Sequence, residues 1–233
     1  MAAVVAGDPR NRQDMLPGGA HSASRADMAY QRIEEMIVSR ALMPGAMISE
    51  NSLVAELGCG RTPIREALQR LKLEGYVEIH PRRGAQVVRI DFLQQLDLLE
   101  VRRPLEELAA RLAAARAKIE ERVALREAAE RILHCADAGD RAGYLRANRA
   151  IHDLRAEATR NAVLIRILRP LSAMSRWFWY SQIDDEASFC RAAELHAQMA
   201  GAVADGEAEQ AVSAARSLMG LLEELSRASF DRR

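Results

Sequence analysis

The sequence lacks long apolar runs, although apolar residues make up 49% of its 233 positions. No uninterrupted apolar stretch reaches the roughly 18 residues that indicate a membrane-spanning helix. The first residues, MAAVVAGDPRNRQDM, contain no sustained apolar segment after a basic start, so no signal peptide is expected. We therefore predict a cytoplasmic protein that has no membrane partner.

Cysteine and aromatic residues are also scarce. Cys59, Cys135 and Cys190 form an odd, scattered set, which fits neither a disulfide framework nor a paired zinc site and predicts reduced thiols. Aromatic residues make up only 4% of the chain, whereas Ala, Leu, Glu and Arg are abundant. That composition favours helices, so the predicted fold class is mainly α.

The net charge is zero, but basic residues are concentrated in one segment. Between Arg61 and Arg89 there are seven basic residues and three acidic ones. A local excess of this kind indicates a surface that binds a phosphate backbone. By contrast, residues 1–24 show no periodicity and are predicted to form a disordered tail.

Residues 25–90 are predicted to contain three helices and a hairpin. The first helix is expected over residues 27–40, and Ser49 caps a second helix that Gly58 ends. In the third helix Thr62 is the predicted N-cap and Pro63 the first helical residue. One face of this helix is apolar, with Ile64, Ala67, Leu68 and Leu71, and the other carries Arg61, Arg65, Gln69 and Lys72.

Two predicted strands, 77–80 and 85–90, form a wing after the third helix. Three helices and a wing indicate a winged helix-turn-helix, whose third helix enters the DNA major groove. Arg82 and Arg83 flank the wing tip, where Gly84 would let the backbone approach phosphates. A basic helix face is often merely solvated, but here the turn, the arginines and the basic hairpin occur in the order that favours DNA binding.

The segment SENSLVAELGCGRTPIREALQRLKLEGYVEIHPRRGAQV closely resembles the winged-helix signature of GntR-type bacterial transcription regulators. The resemblance implies that Arg61 and Arg65 read bases and phosphates and that Thr62 contacts a phosphate. Gln69 lies on the same face. Asn51 stands where some members carry a DNA-contacting arginine, and Gly60 replaces the usual serine or threonine, so the operator sequence stays open.

Six long helices are predicted after the wing, over residues 92–117, 119–137, 140–158, 161–181, 184–204 and 207–229. The stretch LLEVRRPLEELAARLAAARA resembles the opening of the FCD-type effector domain of the FadR branch, and the helix count resembles its VanR-like subgroup. The resemblance implies a DNA-binding domain at 25–90 and an all-helical domain at 91–233 that binds an effector and dimerises.

Many such effector domains hold zinc, nickel or manganese through one aspartate and three histidines. The resemblance places His152 and His196 at two of the histidine positions, Asn148 at the aspartate position and Leu218 at the last histidine position. The candidate metal set is thus His152, His196 and Asn148, which is incomplete. These groups either bind a metal weakly or line a cavity for an effector.

Arg102 matches a family arginine that faces this cavity and would pair with a carboxylate effector. Alternatively it pairs with Glu106, one helical turn away. The segment SRWFWYSQ places Trp177 and Tyr180 together in a chain with few aromatic residues. These rings line an effector pocket, form a dimer interface or belong to the core.

The predicted function is a dimeric regulator, most simply a repressor that a small organic acid releases from a palindromic DNA operator. The alternative is a constitutive or architectural DNA-binding protein without a small-molecule ligand. The sequence shows no pair of a nucleophile and a base, so enzyme activity is not expected.

Overall fold

The structure is a computed structural model that describes residues 24–89, 92–182 and 185–231. In these residues the chain forms nine helices and three short strands, so the mainly α fold class is confirmed. The N-terminal elements are α1 (Arg25–Val38), β1 (Met47–Ile48), α2 (Glu50–Leu57), α3 (Arg61–Leu73), β2 (Val77–His80) and β3 (Gly84–Val87). The helical bundle consists of α4 (Phe92–Arg116), α5 (Ile119–Asp137), α6 (Arg141–Ala158), α7 (Ala162–Gln182), α8 (Glu186–Asp205) and α9 (Ala208–Asp231).

The first helix begins earlier than the sequence predicts. Ser24, which we assigned to the tail, is its N-cap: the hydroxyl accepts from the Asp27 N–H at 3.1 Å, and the Asp27 carboxylate accepts from the Ser24 N–H at 3.1 Å. This capping box satisfies two backbone amides. The remainder of the predicted tail, residues 1–23, lies outside the described residues.

The start of α3 also differs from the prediction, and Thr62 is not its N-cap. Gly60 occupies that position, and no side chain caps the helix. Pro63 is the third helical residue rather than the first, but it lies in the first turn, where a backbone N–H has no intrahelical partner. Because the helix starts at Arg61, Arg61 and Arg65 are one turn apart on a continuous helix and share a face.

The sheet of the wing contains a third strand, β1, that the sequence did not indicate. β3 lies between β1 and β2, and both pairings are antiparallel, with Ile48 opposite Ala85 and His80 opposite Gly84. Gly84 has a φ of 96°, and a Cβ there would lie 2.3 Å from the carbonyl oxygen of Ile48. The close packing of β1 on β3 therefore requires this glycine, whatever the wing contacts.

The bundle helices pack around a core rich in alanine, in which α4 contacts α9 and α5 lies against α6 and α8. Small side chains let the helix axes approach closely. Leu218 lies in this core and is fully buried. In the described part of the chain, no helix has the length and apolar character needed to cross a bilayer.

The core of the winged region continues into the bundle. Side chains of α1, α3 and the wing form one apolar cluster with Leu145 of α6 and with Ala173 and Trp177 of α7. The ring centroids of Tyr76 and Trp177 are 6.4 Å apart. The winged region and the bundle are therefore packed against each other rather than joined only by a linker.

Candidate DNA interface and effector cavity

A cleft of about 640 Å³ separates the helices α2 and α3 from the wing. Thr62, one of the eight residues predicted to bind DNA, is exposed at the start of α3. The fold brings the other seven together as lining of the cleft: Asn51, Arg61, Arg65, Gln69, Arg82, Arg83 and Gly84. The sequence prediction therefore defines one continuous surface.

The N-terminus of α3 opens onto this surface. Because Gly60 supplies no capping side chain, the amides of Arg61 and Thr62 have no side-chain cap. The unpaired N–H groups and the aligned peptide dipoles give this helix end a partial positive charge. Such an end is a natural site for a phosphate group.

Glu50, whose role is not evident from the sequence, also lines the cleft. Its Oε2 accepts a hydrogen bond from Nε of Arg65 at 2.8 Å, and the two side chains are 34% and 63% exposed. An exposed pair of this kind adds little to stability. It orients Arg65 towards α2, and its carboxylate competes with phosphate for the guanidinium. Only the packing of α2 on α3 reveals this contact.

A second candidate site lies inside the bundle. It is a cavity of about 20 Å³, which is about the space of one water molecule. Four of the six residues predicted to bind an effector line it: Arg102, Asn148, His152 and His196. Arg176, Ser172 and Trp179 complete much of its wall.

Trp177 and Tyr180 lie elsewhere. Trp177 packs in the cluster shared with the DNA-binding region, and Tyr180 lies edge-on to Phe189 with 6.4 Å between centroids. Trp179 lines the cavity instead. Successive helical residues are about 100° apart around the axis, so the dense aromatic segment distributes its rings over different faces of α7.

The candidate metal residues are close together but do not fit a divalent metal. Nδ2 of Asn148 donates to Nε2 of His196 at 2.7 Å, and Nδ1 of His152 accepts from Arg155 at 3.2 Å. Leu218, at the expected fourth position, is in the apolar core. No group of three His, Cys, Asp or Glu side chains in the described residues is arranged to hold a metal ion. The metal set suggested by the resemblance is therefore not supported.

A buried ionic triad lies beside the cavity. Glu106 pairs with Arg102 at 2.7 Å and with Arg155, and all three side chains are at most 2% exposed. Burial would raise the pKa of Glu106, but Arg155 and Arg102 hold it below its ordinary value. One carboxylate between two guanidinium groups leaves one excess positive charge. Arg102 thus pairs with Glu106, one helical turn away, and also lines the cavity; its pairing with an effector stays a prediction.

Three polar atoms of the cavity wall are buried and unpaired. Oδ1 of Asn148, Nδ1 of His196 and Nε1 of Trp179 have no hydrogen-bond partner within the described ranges. Buried polar atoms are nearly always satisfied by protein or by water. Because Nε2 of His196 accepts from Asn148, Nδ1 carries the proton and is a donor. Two of the three atoms are therefore donors, which suits an acceptor such as a carboxylate.

Comparison with known proteins identifies the family. Residues 25–87 match the model of the bacterial regulatory proteins of the gntR family, and residues 97–221, more than half of the chain, match the FCD domain. The chain belongs to the GntR family and carries an FCD domain. It is thus a transcriptional regulator of that family, as the sequence resemblance indicated.

Individual relatives of this GntR-family regulator match parts of it. An uncharacterized HTH-type transcriptional regulator in the TAR-I ttuE-ttuC' intergenic region of Agrobacterium vitis is 32% identical over 57% of this chain and 79% of that protein. A probable D-xylose utilization operon transcriptional repressor of Paenarthrobacter nicotinovorans is 32% identical over 56% of this chain and 58% of that protein. Another curated match covers only 33% of both chains. The solved structure of E. coli McbR/YncC has a TM-score of 0.70 at 20% identity, covering 90% of this chain and 98% of that one, and supports the fold.

The buried histidines predict how the stability of this regulator depends on pH. Burial, then Arg102 and Arg155, lower the pKa of His196 from 6.5 to about 3, and burial and the same arginines lower the pKa of His152. Below about pH 6.5 the unfolded chain therefore binds protons that the folded chain does not. Stability should fall with decreasing pH by about 1.4 kcal/mol per pH unit for each histidine.

Urea denaturation between pH 7 and pH 5, above the ordinary pKa values of carboxylates, measures this slope. His196→Gln should reduce the slope. An unaltered slope in the His196 variant would show that this imidazole is not held neutral by the fold.

Proposed function

We propose that this protein is a ligand-responsive repressor that binds a palindromic operator as a homodimer and whose DNA affinity a small organic acid controls. The observation that carries the proposal is the cleft, where seven predicted DNA-binding residues lie around the N-terminus of α3. A relative named as a repressor supports the direction of control.

In this proposal α3 enters the major groove, with its N-terminal residues towards the bases. Arg61 and Arg65 share a face, and a guanidinium binds the O6 and N7 atoms of guanine bidentately. Arg82 and Arg83 at the wing tip neutralise phosphates, as do the free amides at the start of α3. Glu50 restrains Arg65 until DNA competes for it.

Fluorescence anisotropy on the DNA upstream of the coding sequence, compared with a scrambled duplex over a salt series, tests DNA reading. Arg65→Ala should weaken operator binding by about 1–3 kcal/mol. Glu50→Gln, which frees Arg65 and removes a negative charge, should strengthen binding to both duplexes. Arg126→Gln, an exposed arginine remote from the cleft, is the control. Equal affinity of the wild type for both duplexes would favour an architectural role.

The effector class follows from the charge of the central cavity. The triad around Glu106 carries one excess positive charge, and two unpaired donors, on His196 and Trp179, belong to the same wall. Because an organic acid is much larger than the cavity of about 20 Å³, its binding requires side chains of the wall to move. An acid controls DNA binding only if it prefers one of the two arrangements.

A thermal-shift screen of small organic acids tests this effector class. At least one acid should raise the melting temperature of the wild type and lower its operator affinity. Arg102→Met leaves Glu106 and Arg155 as a balanced pair, so this variant should fold and lose the response. If the variant responded like the wild type, the excess charge would not be what recognises the acid.

An apolar face on the bundle supports the dimer. Val101 and Leu108 of α4 are 55% and 42% exposed, and Val163 and Ile167 of the contacting helix α7 are 56% and 42% exposed. A patch of this kind on a soluble domain marks an interaction site.

Leu108→Asp should convert the dimer into a monomer in light scattering and weaken operator binding, whereas Leu133→Asp, exposed on α5, should not. A wild-type monomer would contradict the proposal.

A further inference from the structure

A cavity of about 130 Å³ lies between the DNA-binding region and the bundle. Its position is separate from the DNA cleft, and its wall shares only His152, Ser172 and Arg176 with the central cavity. Five guanidinium groups contribute to the wall: Arg70 of α3, Arg149 and Arg155 of α6, and Arg169 and Arg176 of α7. Both parts of the protein therefore supply cations to one enclosed space.

Two carboxylates near this cavity are each shared between two arginines, and Glu157 adds a further pair with Arg169. Glu34 pairs with both Arg149 and Arg176. Asp153 likewise contacts two arginines, Arg149 at 3.4 Å and Arg169 at 3.6 Å. Each guanidinium has five N–H donors, so sharing leaves donor capacity that these acids do not use.

Arg155 gives a direct sign of this unused capacity. Its side chain is 1% exposed, and its Nε has no hydrogen-bond partner within the described parts of the chain. The other nitrogens of Arg155 contact Glu106, His152 and the sulfur of Met199. A buried charged donor without a partner is costly, and an acceptor in the cavity would satisfy it.

Glu74, one of the two acids of the wall, is a weak counter-charge. Burial raises the pKa of Glu74, which weakens its preference for the ionised form. The guanidinium carbons of Arg70 and Arg149 each lie 4.3 Å from the centroid of the same Tyr30 ring. Each cation gains from the ring. Each also pairs with a carboxylate, Arg70 with Asp27 and Arg149 with Glu34, and an anion between the two guanidinium groups would use the donors that these pairs leave free.

We propose that the interdomain cavity binds a small anion of the phosphate or carboxylate class through arginines of both domains. Arg70 belongs to α3, the helix that lines the DNA cleft, so the anion connects this helix directly to α6 and α7. An anion that binds only when the two parts are docked stabilises the docked arrangement. The concentration of such an anion would then influence how α3 is held, separately from the effector cavity.

Isothermal titration of the full-length protein with inorganic phosphate, and separately with succinate, tests the site at constant ionic strength set by chloride. We expect one anion per chain, and the tighter of the two probes identifies the class. Arg70→Gln and Arg169→Gln should each weaken binding about ten-fold or more. These side chains are 41% and 43% exposed, so both variants should fold, as circular dichroism would verify.

Two control variants distinguish binding at the interdomain cavity from binding elsewhere on the protein. Arg126→Gln removes an arginine that is 50% exposed on α5, and it should not change anion affinity. Arg102→Met alters the central cavity, so it should abolish the response to the organic-acid effector but leave phosphate or succinate binding at the interdomain cavity intact.

Three results would overturn the proposal. The first is no heat from either probe beyond that of chloride. The second is that the Arg169 variant loses anion binding while the Arg70 variant binds like the wild type, which would place the anion wholly in the bundle. The third is loss of binding in the Arg102 variant alone, which would assign the anion to the effector cavity and leave the proposed function standing.

Discussion

One buried carboxylate connects the DNA-binding region to the bundle. Glu34 of α1 accepts hydrogen bonds from Nη2 of Arg176 at 2.6 Å and from the hydroxyl of Tyr76 at 2.7 Å, and it pairs with Arg149. Burial would raise its pKa, but Arg176 and Arg149 hold it below its ordinary value. Removing a partner from such a charge costs about 3–5 kcal/mol. The bundle therefore provides the charges that keep α1 in place, and α1 in turn packs on α3.

Buried arginine charges also explain why the central cavity differs from a metal site. Burial, Arg102 and Arg155 lower the pKa of His152 and His196, so both imidazoles are neutral, but the two guanidinium groups beside them repel a divalent cation. Asn148 replaces a charged ligand by a neutral one, and the uncharged Leu218 extends the apolar core. The loss of the one negative ligand and the excess positive charge of the triad act in one direction, because both disfavour a cation and favour an anion.

Local patterns allowed the sequence to predict much of this protein. The helix expected over residues 119–137 is present at those positions, since a long amphipathic repeat is the most reliable signal. The cap of α3 was misplaced because Thr62 and Gly60 are about equally good caps and the sequence does not distinguish them. The strand β1 was missed because two residues show no period. Nor could the pattern show that Glu34 and Glu106 are buried, since a charged residue on a helix is usually solvated. The arginines that pair with these two carboxylates lie on other helices or, for Arg102, on the buried face of the same helix. Only the tertiary packing reveals these pairs.

Helix α7 gives the bundle a mechanical connection to the DNA-binding region. Trp179 lines the central cavity, and Trp177, two residues earlier, packs against Tyr76 of the DNA-binding region. Two residues correspond to about 200° around a helix, so these rings project from nearly opposite faces. A cavity of about 20 Å³ cannot admit an organic acid unless its wall moves. Because closely packed interiors transmit displacement, a shift of α7 that enlarges the cavity also moves Trp177 against Tyr76. Arg176, the residue before Trp177, then changes its distance to Glu34.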